Sequence, residues 1–110
     1  MDDTLHALAE PRRRAILRLV AAQELPAGEI AAHFDVTRQA VSQHLQVLQE
    51  AGLVAVRQAG TRRYYRADFT RLGELRRFLD EMWADSLDLA RRLAEEERGL
   101  AEDDGARAAG

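Results

Sequence analysis

Apolar residues recur at helical spacing through the first half of the chain. They switch to a β-like alternation near the middle and return as a long heptad stripe toward the end. Thr4 is suited to cap a short first helix with Leu5, Leu8 and Ala9 apolar. Pro11 fits the first turn of a second helix, whose early turns carry Arg12, Arg13 and Arg14 and whose inward positions are Ile16, Leu17 and Val20. Leu25-Pro26 opens a third helix, with Ile30, Ala31 and Phe34 facing inward. Asp35 and Val36 make a short turn, Thr37 caps a fourth helix, and Gly52 closes it. Residues 53–57 and 62–66 are β-rich and flank a turn containing Gly60. Alternation places Arg62, Tyr64 and Arg66 on one face of the second strand, and Arg63 and Tyr65 on the other. Asp68 or Thr70 starts a long last helix.

The fourth helix sorts at about 100° per residue into two arcs. Ala40, Val41, His44, Leu45, Val47 and Leu48 fall on one; Arg38, Gln39, Ser42, Gln43, Gln46 and Gln49 fall on the other. A solvated helix face usually mixes lysine with glutamate. This one carries arginine, glutamine and serine, which can hydrogen-bond base edges in a major groove. Together with Thr37 at the cap, Arg38, Gln39, Ser42, Gln43 and Gln46 are the candidate DNA-reading residues. Arg62 and Arg63 on the hairpin are candidate phosphate contacts, and Arg57 and Arg66 are expected to supply field only.

Charge distribution supports that reading. The 110-residue chain has a net charge of −3, which argues against DNA until it is divided by segment. Residues 36–66 hold five arginines against one acid, whereas residues 67–110 hold seven arginines against twelve acids. The positive patch coincides with the proposed reading elements, and a local patch matters more than the total. Hydrophobic residues make up 46% of the chain, enough for one modest core. The expected division is one domain over residues 1–98 and a disordered acidic tail over 99–110.

On the last helix, Leu72, Leu75, Leu79, Met82, Ser86, Leu89 and Leu93 step by three and four, a seam of about three heptads. Phe78, Trp83, Leu87 and Ala90 widen it. A small domain has little room to bury so much apolar surface, so Leu72, Leu75, Leu79, Met82, Leu89 and Leu93 are expected to meet a second subunit.

Cysteine is absent, which excludes disulfides, thiolate metal sites and cysteine nucleophiles. The acidic N-terminus lacks the features of a signal peptide and no apolar run approaches the ~20 residues of a membrane span, so the expectation is a cytoplasmic protein with no membrane partner. Ser42 and His44, two apart on one helix, point in different directions, so no nucleophilic pair forms and an enzyme is not expected. His6, His33 and His44 are scattered, and the acids Asp80, Glu81, Asp85 and Asp88 have no imidazole beside them. No metal site and no cofactor are expected.

The chain resembles the ArsR/SmtB family of winged helix-turn-helix regulators. Residues 8–17 (LAEPRRRAIL) are similar to the family's opening, residues 27–31 (AGEIA) to its next helix, residues 38–54 to its recognition signature, and residues 60–65 (GTRRYY) to its wing. The resemblance spans about residues 4–93. It implies a mainly α fold with a β-hairpin wing, in the order four helices, two strands, one helix. It also implies a homodimer that binds an imperfect palindromic operator in double-stranded DNA and usually represses transcription. The match departs from metal-sensing members. Residues 29–34 (EIAAHF) have no cysteine where those members have a thiolate motif, and the last helix has no histidine. An alternative is that effector or metal sensing is supplied by a separate sensor protein. The alternative from another class is a protein-interaction module on the same scaffold, which would bind a partner without sequence-selective DNA binding.

Overall fold

The computed structural model describes residues 1–109, with side chains described to residue 101. The elements run α1 (Asp2–Leu8), α2 (Pro11–Ala22), α3 (Ala27–Phe34), α4 (Arg38–Glu50), β1 (Val54–Ala59), β2 (Arg62–Ala67) and α5 (Thr70–Ala109). This is the order expected from the periodicity. The chain divides into two units, residues 1–75 and 76–110. The sequence pattern points instead to one domain extending to residue 98.

The first unit holds the core. Ile16, Leu17 and Val20 from α2, Ile30 and Ala31 from α3, and Val41, Leu45 and Leu48 from α4 are all buried, with Ala7, Leu53 and Val54 completing the cluster. The start of α1 differs from expectation. The helix begins at Asp2, so Thr4 is a buried member of its first turn and not a cap, while Leu5 faces solvent and Ala7 takes the core position. This short helix is held from outside. Arg13 donates from Nε to the Ala7 carbonyl (2.7 Å) and from Nη2 to the His6 carbonyl (2.9 Å), and Arg14 donates to the Leu8 carbonyl (2.7 Å). Those bonds satisfy the orphan acceptors of a helix C-terminus. The guanidinium of Arg12 stacks 5.3 Å from the Phe34 ring centroid. The basic run at the start of α2 is thus structural.

Two turns fix the ends of α4. Asp35 ends α3 in the left-handed region at φ 54°, a conformation that aspartate tolerates better than most residues. Thr37 then accepts the Ala40 N–H at 3.1 Å, a side-chain cap that starts α4. At the far end of α4, Gly52 has φ +75°. Its N–H reaches the Gln49 carbonyl at 3.0 Å, and the Leu53 N–H reaches the Leu48 carbonyl at 2.9 Å, the paired bonds of a Schellman stop.

β1 and β2 are antiparallel, with Ala59 opposite Arg62 and Val54 opposite Ala67. Gly60-Thr61 is therefore a two-residue loop. Gly60 has φ +63° and Thr61 has no positive φ, which suits a type II′ turn. A third strand segment appears at Leu25, which the sequence pattern places in the opening of α3. Leu25 instead exchanges two backbone bonds with Tyr65, at 3.1 and 2.9 Å, and α3 begins two residues later.

The start of α5 is capped by Asp68, whose carboxylate accepts the Thr70 N–H at 3.0 Å. That backbone bond, foremost, holds the Asp68 carboxyl below the ordinary aspartate range. A depressed folded-state pKa contributes stability above the unfolded value of about 4 and loses it as pH falls through the folded value. In urea titrations from pH 2 to 7, Asp68→Asn is expected to be less stable than wild type above about pH 5. The two proteins should converge toward the acid end. A gap that widens on acidification would contradict this account of the cap.

In the second unit the apolar residues of α5 face outward. Phe78, Leu79, Met82, Trp83, Leu87, Leu89, Leu93 and Leu100 are between 42% and 68% exposed. Leu72 is half-buried against the core of its own first unit and Leu75 is half-buried as well, so the exposed part of the seam starts at Leu79. The helix runs on to Ala109, past residue 99, where the tail was expected to begin. Most of that tail lies outside the residues whose side chains are described. Among the described residues, no helix is long and apolar enough to cross a membrane.

Candidate nucleic-acid interface

The inward and outward arcs of α4 fall as the periodicity predicts. Val41, Leu45 and Leu48 are buried and Ala40 and Val47 half-buried, while Arg38, Gln39, Ser42, Gln43, Gln46 and Gln49 are exposed. One member of the inner arc departs from expectation. His44 is half-buried at the edge of the core, with Nδ1 4.0 Å from the Glu10 carboxylate. Glu10 itself caps α2 by accepting the Arg13 N–H at 3.0 Å.

A groove of about 570 Å³ brings the candidates together. Arg38 and Ser42 of α4 form one wall, and Thr61, Arg62 and Arg63 of the hairpin tip form another. The floor comes from Tyr65 and from Pro26, Ala27, Gly28 and Glu29 at the start of α3. The sequence pattern identifies both arginine walls but misses the floor. The available signal was Pro26-Ala27-Gly28, small residues at a helix N-terminus, where first-turn N–H groups favour anions. Gln39, Gln43 and Gln46 lie outside this groove on the rest of the exposed face of α4. Gln46 also donates to Glu50 one turn later, at 3.2 Å.

The wing arginines are not equivalent. Arg62 and Arg63 are exposed at the tip and, among the described residues, no salt bridge engages them or Arg38. Arg57 and Arg66 instead converge on Glu24, in the loop after α2. Arg57 donates from Nε and Nη2 to the Glu24 carboxylate at 2.9–3.2 Å, and Arg66 Nη1 lies 3.6 Å from Glu24 Oε1. The hydrogen bonds from Arg57, foremost, hold the Glu24 carboxyl below its ordinary range. The same carboxylate raises the pKa of Arg57. The Arg57 guanidinium also stacks 4.8 Å from the Tyr64 ring centroid.

The three histidines sit on α1, α3 and α4. His33 packs edge-on against Phe34 at 5.2 Å. Among the described residues, no group of three or more histidine, cysteine, aspartate or glutamate residues is placed to hold a metal ion.

Comparison with known proteins agrees with this geometry. Residues 8–57 match a family described as a helix-turn-helix domain. The chain is 49% identical over 86 residues to the HTH-type transcriptional regulator Rv2034 of Mycobacterium tuberculosis, a match covering 78% of this chain and 80% of that one. The fold superposes on an ArsR-like transcriptional regulator from Rhodococcus with a TM-score of 0.76 at 30% identity, covering 86% of this chain and 90% of that one. It also superposes on the homodimeric winged helix-turn-helix DNA-binding domain of Mb0332 from Mycobacterium bovis, with a TM-score of 0.61 at 36% identity, covering 73% and 77%. A capped, arginine- and glutamine-faced α4 beside a basic hairpin, on a fold and sequence shared with these regulators, places the chain in the ArsR/SmtB family of winged helix-turn-helix, DNA-binding transcriptional regulators.

Proposed function

We propose that the protein acts as a homodimer on a palindromic operator and represses transcription from it. The observation that carries this reading is the groove in which Arg38 and Ser42 of α4 face Arg62 and Arg63 of the wing. One surface thereby offers base-reading and phosphate-binding side chains together. In this reading α4 enters the major groove with Thr37, Arg38, Gln39, Ser42, Gln43 and Gln46 along the DNA, and the wing follows the adjacent backbone. The stripe of α5, half-buried at Leu75 and exposed from Leu79 through Met82, Leu89 and Leu93, meets its twofold mate. That operation places two α4 helices about one DNA turn apart, ~34–36 Å. The Mycobacterium bovis neighbour is itself homodimeric. A dimer seated on a promoter occupies DNA that polymerase requires, which is the basis for repression. The histidines sit on three separate elements and the chain has no thiol. A metal response in cells would therefore be carried by a separate sensor protein docking on the dimer.

The wing tests the division of labour. Arg62→Ala and Arg63→Ala are expected to weaken binding to operator and to random duplex alike. Each phosphate interaction removed should flatten the slope of log K against log salt by about 0.9. Fluorescence anisotropy over a salt series, with an operator recovered by selection from a random duplex library, measures both. A loss confined to the operator at constant slope would assign base reading to the wing.

A further inference from the structure

We propose that Glu24 sets how many wing arginines are available to DNA backbone: its carboxylate occupies Arg57 and Arg66 so that the wing offers DNA only Arg62 and Arg63. This inference rests on the reading of the groove as the DNA-binding surface. The pattern of pairing motivates it. Of the four wing arginines in residues 57–66, two point at one carboxylate and two do not. The register puts Arg57 opposite Tyr64, with Ala59 opposite Arg62 two residues nearer the tip. Arg57, Arg62, Tyr64 and Arg66 therefore share one face of the hairpin. Two residues of strand span only about 7 Å, a distance that an extended arginine side chain covers. Released from Glu24, Arg57 can reach the phosphate track that Arg62 follows.

Glu24 is not needed to hold the wing. The β1–β2 ladder, the two Leu25–Tyr65 backbone bonds and the packing of Tyr65 against the core already fix the hairpin. The Arg57 and Arg66 side chains are about half exposed in these pairs. Exposed pairs of this kind add little to stability. What the carboxylate does change is the number of free cations. Phosphate contacts carry no sequence information and raise affinity for all DNA equally. A genome supplies a vast excess of such sites, so masking two arginines limits how tightly the protein is held on non-operator DNA. The acid works as an internal stand-in for phosphate, bound in the same forked geometry that arginine uses for either group.

The test is Glu24→Gln, which keeps the shape and removes the charge. It is run in the full-length protein against a random-sequence duplex and against the selected operator. The variant is expected to bind random duplex at least three-fold more tightly at low salt. Its slope of log K against log salt should steepen by about 0.9 for each phosphate that Arg57 or Arg66 reaches. The ratio of operator to random affinity should hold, and a changed ratio would overturn the proposal, since the freed arginines would then be reading bases. In the wild-type background, Arg57→Gln and Arg66→Gln should leave random-duplex affinity and slope unchanged. Adding both to Glu24→Gln should restore the wild-type slope. An unchanged slope in Glu24→Gln would overturn the proposal, and so would weaker binding with a wild-type melting curve, since Glu24 would then act by aiming the wing. Wild-type protein with no salt-dependent DNA binding would remove the groove reading itself, and this inference with it.

Discussion

A charged residue in place of Leu79 or Met82 is expected to split the dimer and abolish operator binding. Both side chains are about half exposed in the single chain. Neither belongs to the core of the first unit, so each variant should keep its helix content and its monomer fold. In a twofold interface each substitution occurs twice, because the same patch meets itself. Burying an unpaired charge there costs several kcal/mol per site. Operator affinity should collapse with the dimer, since one subunit reaches only one half-site. Sedimentation or light scattering, with circular dichroism as the folding control, reads the outcome. Wild-type protein that is monomeric at micromolar concentration would contradict the role of α5, as would a Leu79→Asp variant that stays dimeric.

If Arg38 and Gln43 each read a base edge, as proposed, Arg38→Ala and Gln43→Ala are expected to cost about 1–3 kcal/mol each and to relax selectivity at one operator position. Arg38 is the first residue of α4 and Gln43 lies in its second turn; both are exposed. These are the positions from which a helix in the major groove reaches base edges. Arg38 also lines the groove with Arg62 and Arg63. Its alternative partner is a phosphate, and the two roles separate cleanly. Removing a base-reading side chain lowers operator selectivity at constant salt slope, whereas removing a phosphate-binding one flattens the slope and spares selectivity. Gel-shift titrations on the operator and on single-base variants decide between them. Unchanged affinity and selectivity in both variants would move the reading surface off α4.

The exposed polar face of α4 was legible because its signal is local. Thirteen residues of α4 display their own period, and Thr37 and Gly52 mark its two ends. The wing was legible for the same reason, from Gly60 between two short β-rich runs. What the sequence hid depends on contacts distant along the chain. Glu24 and Arg57 are 33 residues apart, and the pairing of Leu25 with Tyr65 brings that loop against the hairpin. Leu25-Pro26 reads as a helix opening because proline favours a first turn, yet the residue before proline is itself biased toward extended backbone. Thr4 reads as a cap because threonine is a good one. The helix starts earlier, and the Arg13 and Arg14 bonds to the carbonyls of residues 6, 7 and 8 anchor its other end. His44 sits on the apolar arc by period, but the arc's edge opens toward Glu10 and leaves its imidazole 26% exposed. Leu72 keeps the period of the α5 seam, and periodicity alone cannot tell a residue that packs on its own core from one left facing outward.

The most direct test of the account is a hydroxyl-radical footprint of the purified protein on its selected operator, combined with binding stoichiometry by sedimentation. The predicted result is two chains per operator and two protected segments related by a twofold axis. Their centres should lie about 10–10.5 base pairs apart, and guanine N7 methylation should interfere in the major groove of each half. A single protected segment with one chain bound, or protection that is indifferent to sequence, would contradict it.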